Sequence, residues 1–72
     1  MEKLTKELAV KEFEKIQSMM GDNEMAHVGE SELKDWFNSC LEKSMYDTIE
    51  EITEIAKIMC QVTKLDYNRW FA

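Results

Sequence analysis

The stretch Glu42-Lys-Ser-Met-Tyr-Asp-Thr-Ile-Glu-Glu51 separates two readings of this chain. In one, a single helix runs from Glu30 to Ala72, roughly 60 Å long at ~1.5 Å per residue. Its apolar stripe would be Phe37, Leu41, Met45, Ile49, Ile52, Ala56 and Met59. In the other, one helix stops near Lys43 and a new one starts near Asp47. The second reading is preferred. Ser44, Tyr46, Asp47 and Thr48 crowd together, and Asp47 or Thr48 can accept a hydrogen bond from the first turn of a following helix. Glu50 or Glu51, three residues on, supplies the partner of a capping box. A lone helix of the greater length would also leave much of its stripe in water.

Downstream of the break, Ile49, Ile52, Ile55, Ala56, Met59, Val62 and Leu65 recur at helical spacing, which predicts a helix over 47–66. Upstream, Leu33, Trp36, Phe37, Cys40 and Leu41 predict a helix over 31–43, entered at Glu30–Glu32, where acids suit the positive helix end. The chain has no proline, and its two glycines, Gly21 and Gly29, bound the segment left for a nine-residue loop. Before it, Ala9, Phe13, Ile16 and Met20 predict a helix over 3–20, closed by Gly21 in a left-handed conformation. Period-two alternation is absent. The expectation is an all-α, three-helix bundle forming one domain over 1–72, with a dimer as the alternative state of association. Met19, Met20, Met25, Met45 and Met59 fit as gap-fillers of a small core.

The net charge of −6 is unevenly spread. Residues 1–20 balance four acids with four lysines. Residues 21–56 set ten acids against Lys34 and Lys43, a net of −8. Lys57, Lys64 and Arg69 against Asp66 leave the final segment at +2. The middle bias argues against direct contact with nucleic acid or an anionic membrane surface, because both need excess Lys and Arg. It favours a protein partner with a basic surface. Cys40 and Cys60 both fall in apolar stripes, which predicts buried free thiols and a reducing, cytoplasmic setting. The first residues form no apolar signal region, and no run approaches the ~18 apolar residues of a membrane span.

Catalytic and metal signatures are missing from the sequence. His27 is the single histidine, read as a solvent-facing loop residue, and a pairing with either cysteine has no supporting motif. Asp22-Asn-Glu24 matches a calcium loop only at its opening, since His27 stands where that loop needs glycine and Leu33 where it needs a bidentate acid. No enzyme, cofactor or metal is expected. A helix-turn-helix would present Asp47-Thr-Ile-Glu-Glu-Ile-Thr-Glu54 to phosphates, which repel it. The candidate binding face is therefore acidic: Asp35, Glu42, Asp47, Glu50, Glu51 and Glu54. Tyr67, Trp70 and Phe71 either fold back onto the core or form an aromatic anchor. Size and charge together resemble those of phage or mobile-element inhibitors of host machinery, anti-restriction and anti-CRISPR proteins included. The expectation is a small acidic inhibitor or modulator of a basic, nucleic-acid-handling protein. The alternative is a homo-oligomeric helical structural or adaptor protein with no inhibitory role, its copies paired as a dimer through Ile49, Ile52, Ala56 and Met59.

Overall fold

The computed structural model describes residues 2–67 and shows three helices, α1 (Lys6–Ser18), α2 (Asn23–Glu42) and α3 (Ile49–Thr63), with no strand among them. Trp70 and Phe71 lie outside the described residues.

The break after α2 falls where the sequence placed it. Ser44 adopts φ 52°, Met45 N–H donates to the Cys40 carbonyl at 3.1 Å, and Ser44 N–H donates to Leu41 at 3.0 Å. Those two bonds form a Schellman closure, with serine standing where glycine is usual, at a cost of roughly 1–2 kcal/mol for the left-handed backbone. Thr48 then caps α3: its hydroxyl accepts from Glu51 N–H at 3.2 Å, and Glu51 Oε1 accepts from Asp47 N–H at 3.0 Å.

The expected nine-residue loop is not there. The α1–α2 connection is only Met19–Asp22, tightened by Asp22 N–H donating to the Met19 carbonyl at 2.8 Å. Asp22 is the N-cap of α2, its carboxylate accepting from Met25 N–H at 3.2 Å, so His27 and Gly29 lie within the helix. Gly21 does not close α1 in a left-handed conformation, since no described glycine has positive φ. The capping power of Asp22 outweighed the helix-breaking reputation of Gly29, which amounts to about 1 kcal/mol in a helix interior.

Both outer helix ends are also shorter than expected. Residues 2–5 precede α1, and its N-cap Thr5, in extended backbone, accepts from Leu8 N–H at 3.3 Å. At the other end α3 stops at Thr63, and Tyr67 turns back into the core.

α1 packs along both other helices, whereas α2 and α3 meet over a shorter stretch. Lys3 pairs with Glu51 and Lys6 with Glu54, the same offset twice, so α1 and α3 run parallel. Leu4 meets Cys40 while Ile16 meets Gly29, so α2 runs antiparallel to α1. The core reads at heptad spacing: Ala9 and Ile16 from α1; Ala26, Leu33 and Cys40 from α2; Ile55 and Val62 from α3, with Ile58 between them. Leu4 and Tyr67 complete it from outside the helices. Of the two free thiols, Cys40 is buried and Cys60 is exposed. Cys60 was expected in the core, but it lies five residues past Ile55 and so projects from the far side of α3.

Candidate partner-binding surface

The acids singled out from the sequence divide into two groups once the helices are packed. At the start of α3, Glu51 binds Lys3 Nζ at 2.7 Å and Glu54 binds Lys6 Nζ at 2.7 Å. Each carboxyl is held below its usual pKa, Glu51 by the Lys3 hydrogen bond and then by the Asp47 backbone, Glu54 by Lys6. Both lysines are correspondingly raised by their carboxylate partners. Glu7 and Glu50 border the same hollow, where the N-termini of the parallel α1 and α3 lie side by side. Two positive helix ends attract acids whatever the protein binds. This cluster has a structural occupation.

The second group, Asp35 and Glu42, has none: both are exposed and make no ion pair among the described residues. Glu24, which the sequence did not single out, shares their face of α2, but it lies in the first turn, where the positive helix end accounts for an acid. Their spacings of eleven and seven residues return to one helical face, opposite Ala26, Leu33 and Cys40. The face extends about 27 Å at ~1.5 Å per residue. Glu42 lies in the last turn of α2, which contains no basic residue, so it faces the negative end of the helix dipole. A carboxylate there is disfavoured by the fold. Asp47 is exposed as well, just beyond.

Tyr67 takes the first of its two alternatives. It is 8% exposed, and its hydroxyl donates to Glu30 of α2. Glu30 itself was expected at the entry to the second helix; it lies mid-helix, 3% exposed, and also accepts from Lys34 Nζ at 2.8 Å. The Glu30–Lys34 spacing was visible in the sequence, but the tyrosine thirty-seven positions away was not. His27, expected to face solvent from a loop, lies on α2 with its Nδ1 buried and without a hydrogen-bond partner among the described residues.

The segment before α1 is another feature the sequence hid. Trp36 Nε1–H donates to the Glu2 carbonyl at 2.7 Å, and Tyr46 O–H donates to the Leu4 carbonyl at 2.7 Å. Lys3 Nζ lies 5.3 Å from the centroid of the Tyr46 ring, a cation–π arrangement. Burial raises the Tyr46 phenol above its ordinary pKa, so it stays a donor. Residues 2–5 are thereby strapped across the ends of α2 and α3.

Among the described residues, no three His, Cys, Asp or Glu side chains gather as a metal site, and no helix is long and apolar enough to cross a membrane. Compared with protein-family models, curated proteins and solved structures, the chain matches none.

Proposed function

We propose that the protein is a small acidic binding module that modulates or blocks a larger, basic, nucleic-acid-handling protein. The observation that carries this reading is the outer face of α2. Glu24, Asp35 and Glu42 line it without an ion pair among the described residues, and Glu42 opposes the helix dipole. Glu24 serves the helix N-terminus, but Asp35 and Glu42 are charges the fold does not use, and an acidic face along one rigid helix suits a basic groove and would compete there with phosphates.

The test is capture of partners from source-cell lysate by the tagged chain, at low and high salt. The native chain is compared with a Glu24→Lys, Asp35→Lys, Glu42→Lys variant. Three exposed charges at about 0.5–1 kcal/mol each compound to a loss of roughly ten- to a hundredfold in affinity. The expected result is a nucleic-acid-handling protein released by high salt and lost with the reversed charges. Capture that is indifferent to both sinks the proposal.

One observation favours a second reading. Ile49 is 77% exposed at the start of α3, beside half-buried Ile52, Ala56 and Met59. An apolar edge of this kind suits a homodimer formed through α3. Under this reading light scattering finds a dimer that Ile49→Glu converts to monomer. A native chain that stays monomeric at high concentration ends it.

A further inference from the structure

On the side of α1 away from α3, α1 and α2 enclose a cleft of ≈ 280 Å³. Leu33 and Gly29 form its floor, and Met25, Val28 and Trp36 its α2 wall. Met25 and Val28 are 50% and 41% exposed, among the most exposed large apolar side chains described. Trp36 is held in place by its hydrogen bond to the Glu2 carbonyl. The rim carries Glu12 from α1 and Glu32 from α2, with Lys15 of α1 as its base among the described residues.

The volume lies just below the ~300–1,000 Å³ of small-molecule sites, so the cleft suits one or two anchoring side chains better than a free ligand. Its apolar wall runs from Met25 to Trp36, about 16 Å at ~1.5 Å per residue, enough for two anchors one or two turns apart, at i and i+4 or i and i+7 of a docked helix. An exposed methionine adapts to the shape of such anchors. With Glu12 and Glu32 against Lys15, the described rim is acidic by one charge, which favours basic flanks. We propose that this cleft is a docking groove for an amphipathic helix with an apolar face and lysine or arginine flanks. The inference rests on the basic-partner reading above and names the element of the partner that α2 receives.

The probe is a synthetic amphipathic helix of leucine and lysine, titrated against the full chain carrying Trp70→Phe. Trp36 is then the only tryptophan and reports from the cleft wall. The expected result is a saturable shift in Trp36 emission, no shift with a leucine–glutamate peptide of the same apolar face, and affinity reduced at least tenfold by Val28→Asp. Met25→Glu, at a still more exposed position, gives the same loss without depending on the fold of the first variant. Binding that leaves Trp36 unshifted, or that both variants retain in full, overturns the groove. The two proposals fail separately. If only the charge reversal on α2 weakens the peptide, the acidic reading stands and the groove falls. If the cleft variants weaken it while the glutamate peptide binds equally well, the selection for a basic helix falls.

Discussion

Gly29→Val is expected to lower the melting temperature by roughly 4–24 °C. A Cβ at this position would lie 2.9 Å from Ile16 Cγ1 and 3.2 Å from Met19 Cε. Met19 can swing aside, but Ile16 is fully buried and has nowhere to go. Overpacking of this kind costs typically about 1–3 kcal/mol, and each kcal/mol shifts the midpoint of a domain this size by roughly 4–8 °C. Gly29→Ala is the more discriminating variant. Helix propensity alone would make alanine about 1 kcal/mol more stable than glycine. The clash with Ile16 opposes that gain, so alanine is expected to be neutral or destabilising. Thermal unfolding followed by circular dichroism measures both. A Gly29→Ala chain stabilised by the full propensity term would mean that α1 and α2 do not approach closely at this position.

Leu4→Ala is expected to cost about 2–5 kcal/mol, the usual range for emptying a fully buried leucine site. Leu4 has no exposed surface although it precedes the first helix. Its carbonyl accepts from Tyr46, and its N–H approaches Cys40 Sγ at 3.4 Å. At roughly 0.05–0.15 kcal/mol per residue, a chain of this length has only a few to about ten kcal/mol in total. The substitution therefore removes a large share of it, visible as a lower denaturant midpoint at unchanged slope. Val10→Ala is the control: Val10 is 37% exposed within α1, and the loss there is expected to stay below about 1 kcal/mol. Equal midpoints for the native and Leu4→Ala chains would show that the segment before α1 is not docked.

The candidate surface was only partly legible in the sequence. Asp35 and Glu42 were named from charge alone, and the structure leaves both exposed and without an ion pair among the described residues. Glu51 and Glu54 were named on the same ground, yet they meet Lys3 and Lys6. Nothing in the local sequence distinguishes the two groups, because the lysines lie forty-eight residues upstream in each pair. The cleft was equally hidden. Met25 and Val28 belonged to the supposed loop, and only its conversion to helix aligned them with Trp36.

What the sequence by itself determined was everything that depends on neighbours a few residues apart. Helical spacing of apolar residues made three helices, the absence of proline kept them whole, and Thr48 with Glu51 started the third. Such signals are local hydrogen bonds and a period of 3.6, so they survive in a one-dimensional text. The tertiary structure alone decided four things: that Gly29 is a contact point in place of a break, that Glu30 is buried against Tyr67, that Leu4 belongs to the core, and which acids face water. Each depends on residues far apart in sequence. In each, local preferences worth about 1 kcal/mol or less were set against burial and packing worth several.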